Sequence, residues 1–118
     1  MRRTIAALAC SFVIATAATP SHAVVNTVVA GPAAFQLNYA TDTVIVVSGQ
    51  DATFVNLDID EHDVVASKRV SGQPVFKSEI IGTGETAPIV GVSGLAPDDY
   101  EFKCTLHGNM LGTLTVVG

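Results

Sequence analysis

Cys104, His107 and Met110 fall in one short segment, Cys104-Thr105-Leu106-His107-Gly108-Asn109-Met110, with C-x2-H-x2-M spacing. A loop between two strands can curl three such side chains around one point. A second imidazole, His62, lies upstream in Asp58-Ile59-Asp60-Glu61-His62-Asp63-Val64-Val65. Thiolate and thioether ligands stabilise Cu(I), whereas imidazole suits both copper valences. A set of two imidazoles, one thiolate and one weak thioether therefore lets copper change valence with little ligand movement, which is the chemistry of a blue-copper electron-transfer site. Structural zinc draws on four Cys or His ligands, so the Met argues against it. Taken singly, a His is most often structural and a Met most often fills a core. The argument rests on their occurring together.

That coincidence sharpens once the N-terminal segment is set apart. Met1-Arg2-Arg3-Thr4 is a short basic start, followed by the apolar run Ile5 to Ala18 and the exit Thr19-Pro20-Ser21-His22-Ala23. Basic start, apolar middle and small residues before a cleavage point describe a secretory signal peptide. The run falls short of the roughly 20 residues that span a bilayer, so no stable membrane insertion is expected. The reading divides the chain into a signal peptide, 1–23, and one domain, 24–118. The whole chain has three His, two Cys and two Met. The domain keeps only His62, His107, Cys104 and Met110 of these, so every one belongs to the pattern. A lone Cys in an exported, oxidising compartment cannot form an internal disulfide, and its presence needs a reason.

Composition excludes several other functions. The chain is 48% hydrophobic and 14% charged, which is incompatible with disorder. Its formal charge of -5 deepens to -7 when Arg2 and Arg3 are removed, so nucleic-acid binding through phosphates is not expected. No catalytic triad, phosphate-binding loop or paired-carboxylate site is evident. Four protein ligands would leave no open position for a substrate, so the pattern does not point to an enzyme.

The elements that must position these residues read as strands. Stretches rich in Val, Ile, Phe, Thr and Tyr recur at short intervals, broken by Gly, Pro and Asp. Candidate strands are Val24–Val29, Phe35–Tyr39, Thr43–Val47, Ala52–Leu57, Asp63–Ser67, Phe76–Ile81, Ala87–Val92, Tyr100–Cys104 and Gly112–Val117. Tyr100, Phe102 and Cys104 alternate with Glu101 and Lys103, which points the Cys inward. An all-β sandwich or barrel with one core follows, large enough to fold without disulfides.

At this point the sequence resembles the cupredoxins. Leu95-Ala96-Pro97-Asp98-Asp99-Tyr100-Glu101-Phe102-Lys103-Cys104 follows the family's L-x-P-G-x-Y-x-F-x-C run, with Asp98 where the Gly stands. The short metal loop looks like those of amicyanin and pseudoazurin. Val55-Asn56-Leu57-Asp58 with His62-Asp63-Val64-Val65 resembles the first-ligand segment, and Phe76-Lys77-Ser78-Glu79-Ile80-Ile81 the middle strand. The resemblance implies a Greek-key β-sandwich of about eight strands holding one type 1 copper ion. It implies Cys104 as thiolate ligand, His62 and His107 as the other in-plane ligands, and Met110 as the weak axial ligand. It also implies an apolar surface around the His107 ring edge, framed by Leu106, Gly108, Asn109 and Leu111, as the electron port.

One departure bears on the chemistry. Asp63 stands directly after His62, where family members commonly carry Asn; the carboxylate either bonds to the loop near Thr105 or points to solvent. Asp58, Asp60, Glu61 and Asp63 read either as a solvated loop or as a docking face for a basic redox partner such as a cytochrome. The function expected is that of a monomeric, exported, periplasmic or extracellular one-electron carrier. It would serve a redox donor and acceptor, with a copper or quinoprotein enzyme among the candidates. A copper-buffering or delivery protein is the alternative; an oxidase and a metal-free sandwich are weaker ones.

Overall fold

The computed structural model describes residues 25–118. Residues 1–23, read from the sequence as a signal peptide, lie outside the described residues. The strands are β1 (Thr27–Ala30), β2 (Thr43–Val47), β3 (Ala52–Asn56), β4 (Val65–Ala66), β5 (Arg69–Val70), β6 (Gln73–Pro74), β7 (Thr86–Ile89), β8 (Asp98–Lys103) and β9 (Leu111–Val117). A single 3-10 turn, Val92–Gly94, precedes β8 among the described residues.

Two sheets form the layers of a β-sandwich. One runs β2-β9-β8-β4 and the other β1-β3-β7, with β5 and β6 as a separate hairpin. β9 pairs parallel with β2 and antiparallel with β8, while β1 pairs parallel with β3 and β7 antiparallel with β3. Alternation decides which residues face inward. In β8, Tyr100 and Phe102 are buried while Asp99, Glu101 and Lys103 are exposed, as period-2 spacing predicts. β3 buries Ala52, Phe54 and Asn56, and β2 buries Val44 and Val46. With Val28, Phe76, Leu114 and Val116 the apolar ones among these side chains form one continuous core. Gly112 sits opposite Phe102. A Cβ there would meet the Phe102 ring and stand 2.7 Å from the Asp42 carbonyl, so the aromatic occupies space that only Gly leaves free.

The all-β sandwich agrees with the sequence reading, but two expected strands differ. Residues 35–39 do not form a strand; the segment from Pro32 to Gln36 is turn. Its cause is local chemistry: Ala33 has φ 64°, and the Ala33 and Phe35 N–H groups donate to the Asp58 carboxylate rather than to a neighbouring strand. Phe76–Ile81 makes only isolated bridges, Lys77 with Val65 and Val90, and Ile81 with His62. It crosses between the sheets instead of continuing either one. The Asp98-Asp99 departure is accommodated, since Asp98 accepts a hydrogen bond from the Asp99 N–H at 2.8 Å as β8 begins.

Candidate metal centre

Three segments meet at one end of the sandwich: the Pro32–Gln36 turn with the residues after it, the loop carrying His62 and the loop after β8, and each has a structural reason to hold its shape. The loop carrying His62 leaves β3 at Asn56, which is fully buried. The Asn56 amide donates to the Asp60 and Ile81 carbonyls at 2.8 and 3.0 Å, and its oxygen accepts the Asp58 N–H at 3.0 Å. One side chain thus pairs the Asp58 N–H at the start of the turn and the Asp60 carbonyl at its end. His62 itself exchanges backbone hydrogen bonds with Ile81 at 3.2 and 3.0 Å.

The second loop follows β8. Cys104 is the first residue beyond the strand, and its N–H donates to the Met110 carbonyl at 3.1 Å while the Met110 N–H donates to the His107 carbonyl. These bonds close the loop and bring its start and end together. Asp63 joins the two loops. It stands opposite Thr105 on the line of the β4–β8 pairing, in which Val65 faces Lys103. Its carboxylate accepts the Thr105 N–H at 2.7 Å and the Thr105 hydroxyl at 2.6 Å. Asp63 is buried, so the solvent-facing alternative does not hold.

His62, Cys104 and His107 converge at the point where these loops meet. The Cys104 sulfur lies 3.7 Å from His62 Nδ1 and 3.8 Å from His107 Nδ1. One donor atom from each lies within 4.8 Å of the others. Metal–nitrogen and metal–sulfur bonds of about 2.0 and 2.3 Å, spread trigonally, would separate nitrogen from sulfur by about 3.7 Å. The spacing therefore fits one first-row metal ion, and the donor types fit copper. His62 and Cys104 are 0% and 2% exposed. The His107 side chain is 23% exposed, its ring 4.7 Å from that of His62 and 6.3 Å from that of Phe35. Met110 is fully buried, tied through its backbone to both Cys104 and His107.

Electrostatics sets the form of each donor. Burial pushes the Cys104 thiol up from its ordinary value, with the Asp63 charge adding to that against hydrogen bonds from the neighbouring backbone. Metal capture as thiolate therefore releases a proton. Burial also acts to raise Asp58, but hydrogen bonds from His62, Ile59, Ala33 and Phe35 outweigh it and hold this carboxyl below its ordinary value. Asp58 is thus an anion, and His62 Nε2, 2.7 Å away, must carry the proton it accepts. In the neutral ring this leaves the lone pair on Nδ1, the atom facing Cys104.

The acidic segment around His62 is consequently not one solvated loop. Asp58 and Asp63 are buried and fully engaged, whereas Glu61 is exposed and Asp60 approaches His107 Nε2 at 3.9 Å. Sequence reasoning missed the inward role of Asp58. The only signal was its spacing, four residues before His62.

Comparisons with known proteins follow the same lines. The family model for copper binding proteins of the plastocyanin/azurin family matches residues 23–117. A purple cupredoxin from Nitrosopumilus maritimus is 20% identical, with a TM-score of 0.63 over 77% of this chain and 98% of its own. A reduced amicyanin mutant is 21% identical, with a TM-score of 0.60 over 77% of this chain and 80% of its own. Auracyanin A, a "blue" copper protein from Chloroflexus aurantiacus, is 16% identical, with a TM-score of 0.61 over 77% and 96%. At these identities the structures establish a shared fold. No curated protein sequence matches the chain.

Proposed function

The chain belongs to the plastocyanin/azurin family of copper-binding proteins, and from that premise we propose that it is a one-electron carrier holding one copper ion. His62, Cys104 and His107 would hold the ion, with Met110 as a fourth, weaker donor. The observation that carries this reading is the convergence of two imidazole nitrogens on one buried sulfur at 3.7 and 3.8 Å. Copper there would supply a Cu(I)/Cu(II) couple. The chain's own residues do the rest: Asn56 and the Ile81 backbone hold His62, Asp63 holds the start of the second loop, and the Met110–Cys104 bond closes it. Donors fixed in this way need not move when the ion changes valence.

Access to the site supports a carrier over an enzyme or a delivery protein. His62, Cys104 and Met110 are buried, and His107 is the partly exposed member of the set. Phe35 stands beside its ring, and Leu106 on the same loop and Leu111 at the start of β9 are exposed. Leu37 and Ile59, from the other two loops, are exposed as well. An electron can leave through an imidazole edge in an apolar surface without exposing the ion. Handing over the ion itself would require His62 and Cys104 to be uncovered.

Loading the mature protein with Cu(II) tests the proposal. An intense thiolate-to-copper absorption band is expected, abolished in Cys104→Ser, together with reversible one-electron voltammetry. A colourless copper complex would reject the site, and an irreversible couple would favour copper handling. In the same reading residues 1–23 direct export, consistent with a family match that begins at residue 23. Protein recovered from outside the cytoplasm should begin at Val24; an intact Met1 would refute cleavage. Among the described residues no helix is long and apolar enough to cross a membrane.

A further inference from the structure

We infer that Asp58 is the positioning residue for His62, and that its buried negative charge biases the bound copper towards the oxidised state; this rests on the copper-site reading above. The Asp58 Oδ2 lies 2.7 Å from His62 Nε2, with the two side chains 1% and 0% exposed. The contact is shielded from water, so neither competing hydrogen bonds nor salt weakens it as they would at the surface.

What fixes the carboxylate is the backbone around it. Oδ1 accepts the N–H of Ala33 at 3.0 Å and of Ile59 at 2.8 Å, while Oδ2 accepts the N–H of Phe35 at 3.3 Å beside the His62 contact. The Asp58 carbonyl in turn accepts the Thr83 hydroxyl at 2.7 Å. Asp58 is therefore tied to three segments of chain and cannot swing away from the imidazole. Two of its donors, Ala33 and Phe35, lie in the turn that places Phe35 next to His107, so one carboxylate organises the surroundings of both imidazoles.

The consequence for the ring is twofold. A carboxylate on Nε2 fixes the tautomer that leaves Nδ1 free, and it orients that lone pair towards Cys104 before any metal arrives. It also makes Nδ1 a stronger donor than a neutral acceptor would, because the imidazole proton is partly withdrawn towards the anion. Stronger donation and added negative charge both stabilise the higher valence. Asp63 acts at the Cys104 loop, whereas Asp58 acts through His62, so the two carboxylates are separable.

The experiment compares wild type with Asp58→Asn, metal-free and copper-loaded. In metal-free wild type, nitrogen NMR should show His62 protonated at Nε2 and not at Nδ1, with an Nε2 proton protected from exchange. Asp58→Asn should lose that protection, bind copper about 10–100-fold more weakly, and show a higher reduction potential. A wild-type protein with His62 protonated at Nδ1, or without a protected Nε2 proton, overturns the inference even if the variant fails to fold. An Asp58→Asn protein with unchanged potential and affinity overturns it as well. Failure of wild type to take up copper would refute the copper site instead, and the metal-free NMR would still report whether Asp58 grips His62.

Discussion

At the residue scale, Asp63 shows how one substitution can change chemistry without changing shape. Its two oxygens accept the Thr105 N–H and hydroxyl, bonds that an Asn could largely preserve by accepting the first and donating to the second. The difference between Asp and Asn is then mainly charge, held out of water near the Cys104 sulfur. Negative charge there favours Cu(II), so Asp63→Asn should raise the reduction potential while retaining the blue band. An unchanged or lower potential, by titration or voltammetry, would remove Asp63 from the tuning of the site. The residues that converge on the sulfur were legible in the sequence because they are rare types that left no unexplained remainder. Asp58 was not, because a buried carboxylate and a solvated one read identically in an acidic run. Only the fold shows that Ala33 and Phe35, over twenty residues upstream, turn their N–H groups towards it.

At the element scale, Tyr39 locks together parts that the strand pairings leave separate. Its ring packs edge-on against Phe54 of β3 and Phe102 of β8, which belong to different sheets. Its hydroxyl donates to the Asp63 carbonyl at 2.7 Å, linking the segment after the first turn to the His62 loop. Burial, reinforced by the Cys104 and Asp63 charges, raises the Tyr39 phenol far above its ordinary value of 10.0. A raised value means that the folded state retains a proton which the unfolded chain releases. Its contribution to stability is therefore complete below about pH 10 and declines as pH climbs towards the folded-state value. Tyr39→Phe should cost about 1–3 kcal/mol at neutral pH by leaving a buried carbonyl unpaired. It should also flatten the alkaline loss of stability; denaturant titrations at pH 7 and above pH 10 measure both, and an equal alkaline slope in the variant would refute the coupling. Strands such as Thr43–Val47 were legible because alternation there reflects a simple two-faced environment. The segment 35–39 misled because its apolar residues serve a turn held by a distant carboxylate. Phe76–Ile81 misled because a crossing segment can be as apolar as a strand while pairing only through single bridges.

At the scale of the whole molecule, the metal end combines an apolar surface with an acidic margin. Phe35 and Asp60 approach the His107 ring, and Leu37, Ile59, Leu106 and Leu111 are exposed in or next to the segments that carry these residues, with Asp60 and Glu61 following Ile59 in the chain. Burial of Asp58 and Asp63 leaves Asp60 and Glu61 as the carboxylates of this loop that reach the surface, within a stretch, residues 24–118, of formal charge -7. Apolar contact would then hold a partner while the acidic margin and the overall charge guide its approach, which accelerates association with a cationic protein and weakens as salt rises. Glu61→Lys separates these contributions. Glu61 is exposed, so its reversal should leave the visible spectrum and the reduction potential unchanged. Electron transfer to a small cationic cytochrome should nevertheless slow several-fold at low ionic strength and depend less steeply on salt. Stopped-flow rates across a salt series distinguish the outcomes: equal rates for variant and wild type would place docking away from the His107 face, and a shifted potential would mean that Glu61 acts on the copper rather than on the encounter.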